Sequence, residues 1–425
     1  MKSMEALKRF NLPFFLLVIL ICAVVSLLVL KDIYTIANKS NYTEQLSSED
    51  LDFSNEENIE EEEEAAPSSS PNQLIEFNQG SQNRCDVMNG KWVFNRSLET
   101  QYTDASCPYL DKQVSCVLNG RPDGDYLHWQ WEMDDCYLSR FDGADALEKL
   151  RGKRLMFVGD SLQREQWQSF VCLVQYHVPP KLKSMKHGRS LSVFTAEEYN
   201  TSIEFYNAPF LIESNSDVFI IKDLRKRILR LDSISKHARH WMGVDILVFN
   251  TYVWWTTGFK LKTTWKSMKN NDGYEEMSVD VAYKLGLETW ANWIDSNINP
   301  NKTRVFFTTI SPTHIRSSEW NFNDRDVGNR CYNETQPVME KGYIGFGTDK
   351  RIMRVVEDVV GRMKKVVSIL NITQMSEYRK DGHASVYTEY GGKRKQKSDP
   401  KYADCIHWCL PGLPDVWNQL LYSFL

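Results

Sequence analysis

Residues 153–162 read Lys-Arg-Leu-Met-Phe-Val-Gly-Asp-Ser-Leu, a short apolar run that ends abruptly at Gly-Asp-Ser. An apolar run of this length between polar residues is typical of a strand that is buried on both faces of a sheet. The amphipathic segment from Gln163 to Tyr176 predicts a helix directly after the strand. Ser161 is therefore expected on a strand-to-helix turn, at the carboxyl edge of a parallel sheet and beside the positive end of a helix.

Two interpretations of Gly-Asp-Ser follow from that position. A serine hydroxyl beside a helix N-terminus is well placed to act as a nucleophile, because the helix end can stabilise an oxyanion. The same tripeptide is also an ordinary helix cap, since Asp and Ser are both favoured at N-caps. The tripeptide alone favours the cap.

A second motif near the end of the chain strengthens the catalytic interpretation. Asp404 precedes His407 by three residues in the run Asp-Cys-Ile-His-Trp-Cys-Leu-Pro-Gly. A serine hydroxyl needs a base to take its proton, and a carboxylate orients that base. The spacing predicts that Asp404 and His407 share one face of a helical turn. Ser161, His407 and Asp404 form a candidate triad, unless Asp404 only caps a helix and His407 only fills a crevice.

Two other histidines could serve as the base. His314 follows the end of a predicted strand, and His383 has an acid of its own at Asp381. Position in the chain leaves the choice among His314, His383 and His407 open.

The domain around these motifs shows strands that alternate with helices. Apolar runs at Val244–Phe249, Arg304–Ile310 and Val366–Leu370 predict strands, and helical patterns cover Val281–Ile298 and Lys350–Lys365. This alternation predicts an α/β fold with a parallel sheet between two helical layers, a three-layer αβα sandwich. In such sheets, active-site residues lie at the carboxyl ends of the strands.

The N-terminal part has a different composition. Residues 12–30 are 19 consecutive uncharged positions, enough to span a bilayer at about 1.5 Å per residue. Basic residues precede them, so residues 1–11 are expected in the cytosol and the remainder in the lumen of a single-pass type II membrane protein. A cleaved signal peptide is the alternative. Residues 31–82 are acidic and rich in Ser and Pro, which predicts a disordered stem.

Net charge and cysteine usage restrict the class of protein further. The formal net charge is −5 in 425 residues, which argues against a nucleic-acid partner. Eight cysteines follow the apolar segment, and an even number in a secretory-pathway domain predicts disulfides, with the pairing left open. No pair has the Cys-x-x-Cys spacing of a zinc site. The sequons that agree with a lumenal domain are at Asn38, Asn41, Asn95, Asn200, Asn301, Asn333 and Asn371.

Residues 83–145 are predicted to form a cysteine-rich segment that leads into the catalytic domain at 146–425. Trp129 and Trp131 lie within it at strand spacing, which places both rings on one face. They could stack on sugar rings, but tryptophan is most often a core residue, and a core role is preferred.

The two motifs resemble those of the trichome birefringence-like family of plant polysaccharide O-acetyltransferases. The resemblance covers roughly residues 83–425. One departure is the segment Gln163-Arg164-Glu165-Gln166 after the serine, where Arg-Asn-Gln is more usual. The other matching segments are Cys85–Trp92, Trp129-Gln130-Trp131, Asn250–Trp255 and Trp408–Trp417.

This resemblance implies both a fold and a site. The fold would be that of the GDSL/SGNH esterases, with Asp404 and His407 selected as the acid and base for Ser161. The oxyanion hole would be formed by Ser161, Gly188 and Asn250, and no metal is implied. For the last two residues the alternatives are a loop glycine and a turn at a strand end.

It also implies an activity and a location. The enzyme would lie in the Golgi membrane with its catalytic domain in the lumen, and would transfer acetyl groups through an acetyl-serine to a cell-wall polysaccharide. Xylan is the first choice, at O2 or O3 of its xylosyl residues, with mannan, xyloglucan and pectin as alternatives. An acetyl donor is required, acetyl-CoA-derived donors being among the candidates, and no other cofactor is implied. The rival functions are an ester hydrolase with the same triad and a glycan-binding protein with an inert serine.

Overall fold

A computed structural model describes residues 90–133, 136–221, 223–256, 258, 260–266, 273–320, 330–340, 342–390, 393–394 and 399–425. The predicted cytosolic tail, membrane anchor and stem at 1–82 lie outside these residues. Within the described ranges, no helix combines the length and the apolarity that crossing a bilayer requires.

The described residues form short strands and helices in alternation. In chain order the first elements are β1 (Gly90–Phe94), β2 (Trp129–Met133), α1 (Gly143–Lys149), β3 (Arg154–Gly159), α2 (Ser161–Val174), β4 (Lys183–His187), β5 (Leu191–Ala196), β6 (Thr201–Asn207), β7 (Glu213–Ser214) and β8 (Ile228–Arg230). They are followed by α3 (Ser235–Ala238), β9 (Ile246–Phe249), β10 (Lys260–Thr264), β11 (Glu275–Ser278), α4 (Val279–Asn297), β12 (Arg304–Thr308), α5 (Lys350–Gly361) and β13 (Ser368–Leu370). The last are α6 (Thr373–Glu377), β14 (His383–Ser385), β15 (Glu389–Tyr390), β16 (Lys393–Arg394), β17 (Asp404–Trp408) and α7 (Leu413–Tyr422).

The central sheet has seven strands in the order β13-β12-β9-β3-β6-β5-β4. The five strands from β13 to β6 are parallel, as the sequence predicts. The prediction of a wholly parallel sheet is wrong at one edge, where β5 pairs antiparallel with β6 and β4 pairs antiparallel with β5. These edge strands follow one another through short turns, and short turns join antiparallel neighbours.

Strand β3 lies near the middle of this sheet and is buried on both faces. Its side chains alternate between two apolar cores: Leu155 and Phe157 belong to one, and Met156 and Val158 to the other. The first core includes apolar residues of α2 and α7, and the second includes residues of α4 and α5. The three-layer αβα arrangement follows from this alternation.

The cysteine-rich segment contributes an antiparallel pair, β1 with β2. Trp92 and Trp131 face each other across it with ring centroids 5.4 Å apart. Trp129 and Trp131 are both buried, which confirms the core role preferred from the sequence.

Disulfides connect this segment to α2 and to the residue that follows β17 in the α/β domain. Cys107 is bonded to Cys172 in α2, and Cys116 is bonded to Cys409 just after β17. A third disulfide joins Cys331 to Cys405 in β17. All seven described cysteines are disulfide-bonded, as predicted, while Cys85 lies outside the described residues. The elements that carry Ser161 and His407 are thereby linked covalently to one segment.

Candidate active site

Ser161 is the first residue of α2, directly after the carboxyl end of β3. Asp160 caps the helix, and its Oδ1 accepts a hydrogen bond from the Leu162 amide at 2.9 Å. The turn is so tight that a Cβ on Gly159 would lie 2.3 Å from the carbonyl oxygen of Asn250. The motif therefore needs glycine for close approach, aspartate for the cap and serine at the helix end, so the two interpretations of Gly-Asp-Ser are compatible.

Asp404 and His407 lie on β17, which pairs antiparallel with β14 through an irregular register. The prediction that they share a helical turn is wrong. The Asp404 carboxylate instead folds back along the strand, where its Oδ1 accepts the amide N–H groups of Ile406 at 3.2 Å and His407 at 3.1 Å. These contacts bring the carboxylate to the imidazole across three residues without a helix.

The three predicted side chains meet at the carboxyl edge of the sheet. His407 Nε2 lies 2.8 Å from the Ser161 hydroxyl oxygen. His407 Nδ1 lies 2.9 Å from Asp404 Oδ2. Because a carboxylate can only accept, Nδ1 carries a proton, and in the neutral form of the ring Nε2 presents its lone pair to the serine hydroxyl. This is the geometry of a Ser-His-Asp triad.

The carboxylates around His407 favour its protonated form. Burial lowers the pKa of the imidazole, but the charges of Asp404 and Glu165 outweigh burial and raise this pKa to about 9. Burial also raises the pKa of the helix-capping Asp160 to about 6. The charges of Asp404 and Glu165 thus stabilise the imidazolium form of His407.

The cysteine-rich segment reaches the imidazole through Gln113. Its Nε2 lies 3.0 Å from His407 Nδ1, and its Oε1 accepts a hydrogen bond from Arg164 at 3.2 Å. Arg164 also pairs with Asp111 at 3.1 Å. Asp111 and Gln113 therefore border the site, close in sequence to Cys116 of the Cys116–Cys409 disulfide.

The two further oxyanion donors predicted from the sequence are engaged elsewhere. The Asn250 amide Nδ2 donates to the carbonyl oxygens of Thr308 at 3.1 Å and Thr309 at 3.0 Å. The Gly188 N–H donates to Leu191 within the turn between β4 and β5. Strand β5 is two strands from β3, about 10 Å at the usual strand spacing. Of the three predicted donors, the Ser161 N–H is the one at the reacting hydroxyl, at a helix end where N–H groups lack intrahelical acceptors.

The competing histidines are buried away from the serine and bind each other. His314 Nδ1 lies 2.7 Å from His383 Nε2. His314 Nε2 contacts the Glu377 carbonyl oxygen at 2.9 Å, and His383 stacks on the Trp408 ring with centroids 3.8 Å apart. The pair supports the strand that carries His407, and of the three histidines His407 is the one that contacts Ser161.

We expect this histidine pair to make the fold sensitive to acid. Burial lowers the pKa of His314 from 6.5 to about 4, and burial also lowers the pKa of His383. The unfolded chain therefore binds protons below about pH 6.5 that the folded chain does not, so the unfolding free energy falls as pH drops towards 4. His314 alone should lower the unfolding free energy by about 2 kcal/mol between pH 6.5 and pH 5. Urea unfolding at both pH values measures this loss of stability.

The His314→Gln variant isolates this contribution, and we expect its unfolding free energy to depend less on pH than that of the wild type. His187→Gln is the control, because His187 is exposed and should leave the pH dependence unchanged. Equal pH dependence in the wild type and His314→Gln would refute the assignment.

A mixed αβα sheet with a serine, an imidazole and a carboxylate in this geometry is typical of serine-dependent esterases and acyltransferases, and this is the class of protein that the fold and the site define. Residues 138–424 match PC-Esterase, a GDSL/SGNH-like acyl-esterase family found in Pmr5 and Cas1p, and residues 83–137 match the PMR5 N-terminal domain. The chain belongs to the trichome birefringence-like family within this group, which confirms the resemblance seen in its motifs.

Curated relatives extend over most of the chain. A probable xylan O-acetyltransferase 8 of Oryza sativa subsp. japonica is 57% identical over 80% of this chain and 78% of its own length. Protein trichome birefringence-like 3 of Arabidopsis thaliana is 55% identical over 80% of this chain and 79% of its own length. Xylan O-acetyltransferase 6 of Oryza sativa subsp. japonica is 46% identical over 80% of this chain and 62% of its own length.

Two residues of the site are absent from the sequence-based prediction. Glu165 lies one helical turn after Ser161, so the i, i+4 rule would have placed it on the same helix face. Gln113 is 294 positions from His407, and no local pattern indicates their contact. The first residue could have been found from the sequence, and the second could not.

Proposed function

We propose that this protein transfers acetyl groups to hydroxyls of xylan, at O2 or O3 of xylosyl residues, through an acetyl-serine intermediate. The observation that carries the proposal is the 2.8 Å contact between Ser161 Oγ and His407 Nε2, with Asp404 on the other ring nitrogen. The relatives named as xylan O-acetyltransferases support acetyl as the group and xylan as the acceptor.

The chemistry proceeds in two steps that share one base. His407 Nε2 takes the hydroxyl proton as Ser161 Oγ bonds to the acetyl carbonyl carbon, and the returned proton leaves with the donor's leaving group. A sugar hydroxyl then gives its proton to Nε2 and its oxygen to the acetyl carbon. The proton returns to Ser161 as the ester bond to the serine breaks. Asp404 holds the imidazole in the required tautomer throughout, and the Ser161 N–H faces the developing oxyanion.

Hydrolysis by the same triad is the alternative, since water could replace the sugar hydroxyl in the second step. Transfer requires that a bound sugar compete with water for the acetyl-serine. The relatives named as acetyltransferases favour transfer over hydrolysis.

The test is incubation of the purified lumenal part with a chromogenic acetyl ester and unacetylated oligosaccharides of xylan, mannan, xyloglucan and pectin. We expect xylo-oligosaccharides to gain mass in steps of one acetyl group. Acetate release at the same rate with and without any oligosaccharide would indicate a hydrolase. Acetylation of another glycan in preference to xylan would retain the mechanism and change the acceptor.

We also propose that the enzyme is a single-pass type II protein of the Golgi membrane with its catalytic domain in the lumen. The apolar run at 12–30 and the basic residues before it support this topology. The disulfides fit an oxidising compartment, and the sequon residues Asn200, Asn301 and Asn333 are exposed to glycosylation. Protease protection in sealed vesicles tests it: we expect the C-terminus to be protected, and digestion of the C-terminus from the cytosolic side would refute the topology.

A further inference from the structure

Glu165 is a buried carboxyl group that the two-step chemistry does not use. It lies one turn after Ser161 on α2, and only 1% of its surface is exposed. Its Oε2 accepts the Trp408 amide N–H at 3.0 Å. Its Oε1 has no hydrogen-bond partner among the described residues. Burying a carboxyl group with one oxygen unsatisfied lowers the stability of the fold, so a role for that oxygen other than packing is expected.

The unsatisfied oxygen points to the reacting nitrogen. Glu165 Oε1 lies 3.9 Å from His407 Nε2, the same atom that contacts the Ser161 hydroxyl at 2.8 Å. Asp404 lies on the opposite side of the ring, at Nδ1. The imidazole is therefore held between two carboxyl groups, one near each nitrogen.

We propose that Glu165 is a positioning residue that acts through His407: a second acidic partner, on the Nε2 side, that stabilises the protonated imidazole during acyl transfer and sets the pH at which the free base appears. This inference rests on the proposed function, because it assigns Glu165 to the same triad. It adds a fourth side chain to the groups that govern the proton, and no covalent step involves it.

The charges around Glu165 couple its titration to that of His407. The charged groups that act on it are His407 and Asp404 on β17 and Arg164 on its own helix. Burial raises the pKa of Glu165 to about 8, against the opposing effect of the His407 charge. Two groups this close titrate together. Once the pair has lost one of its two protons, the site of the remaining proton decides which form is present. On Glu165 it leaves Nε2 as a free base, and on His407 it leaves an ionised Glu165 that stabilises the imidazolium.

Glu165→Gln separates this role from packing, because the amide keeps the size of the side chain and an oxygen for the Trp408 N–H. Without the carboxylate, the imidazole loses its proton more easily. We therefore expect the acidic limb of the kcat profile to move down by roughly one to two pH units. The plateau rate should fall by up to about tenfold, since the imidazolium is less stabilised, with KM unchanged. The assay is release from a chromogenic acetyl ester by the full lumenal chain across a pH series.

Glu377→Gln is the matched control. Glu377 is also a buried glutamate whose pKa burial raises, to about 7, but its carboxyl accepts the Gly347 amide N–H. We expect the acidic limb of the kcat profile of Glu377→Gln to coincide with that of the wild type. Glu165→Asp draws the carboxyl back by one methylene and should move the limb in the same direction by a smaller amount.

The outcomes separate this inference from the proposed function. A wild type with no activity on any acetyl ester would refute the proposed function itself. An active wild type whose limb is unmoved by Glu165→Gln would overturn the role of Glu165 alone. If the variant does not fold, nitrogen NMR of the His407 ring in the wild type replaces it: we expect two coupled titration steps, and a single step overturns the proposal.

Discussion

Replacing Ser161 by Ala is expected to lower acetyl transfer to xylo-oligosaccharides by about ten-thousand-fold or more. The alanine removes the oxygen that carries the acetyl group, and loss of a triad nucleophile has effects of this order in serine hydrolases. The Ser161 hydroxyl contacts His407, but α2 is capped by the Asp160 carboxylate and packed by its apolar face, so the fold should persist. Product mass spectrometry and thermal unfolding measure the two effects.

Ser139→Ala is the control for this substitution, because Ser139 is exposed and outside the site. It should transfer acetyl at the wild-type rate. If the Ser161→Ala protein kept the whole effect that the wild-type protein has on xylan, the serine would be inert. That result would favour the glycan-binding function. Retained binding of xylo-oligosaccharide without transfer is the result that the mechanism predicts.

Replacing Asp404 by Asn is expected to reduce kcat by about a thousandfold to ten-thousandfold with little change in KM. The amide can turn its N–H₂ group towards His407 Nδ1, which then accepts a hydrogen bond, so that the ring proton lies on Nε2 and this nitrogen cannot act as the base. The substitution keeps an oxygen for the two backbone N–H groups that Asp404 now binds, so the course of β17 should be retained. Steady-state kinetics on the chromogenic ester give kcat and KM separately.

Asp399→Asn provides the comparison, since Asp399 lies five residues earlier and caps a short helical turn through the Lys401 amide. It should leave kcat near the wild-type value. An Asp404→Asn enzyme with normal kcat and a raised KM would mean that Asp404 contributes to binding and not to the base.

The sequence predicts the centre of the fold well, because burial on both faces leaves a clear pattern. Strand β3 is an unbroken apolar run whose residues alternate between two cores, and the helix after it begins at the Ser161 turn that Gly-Asp-Ser predicts. The parallel strands β9, β12 and β13 end within two residues of their predicted positions. Each depends mainly on local residues.

Features that depend on distant partners could not be predicted in the same way. The spacing of Asp404 and His407 suits a helical turn, but pairing with β14 keeps this segment extended. Asn250 carries a side-chain donor at the expected strand end, yet the carbonyls of Thr308 and Thr309 take it up. Whether a donor is free depends on neighbours that the sequence around it does not reveal.

The disulfides show how the site is held together across the chain. Ser161 and His407 are 246 positions apart, and each lies on an element bonded to the cysteine-rich segment, through Cys172 and Cys409. An even number of cysteines predicts that such links exist, but not which pairs form. Gln113 enters the site beside one of them, so the cysteine-rich segment is part of the active site and not only its support.

The most direct test is to trap the acyl-enzyme. Wild-type protein comprising residues 83–425 is mixed with an acetyl ester in the absence of any oligosaccharide, quenched in acid and digested for peptide mass mapping. We predict one acetyl group on Ser161, which disappears when xylo-oligosaccharide is added before the quench. Acetylation at another residue, or transfer to xylan by the Ser161→Ala protein at the wild-type rate, would contradict the mechanism.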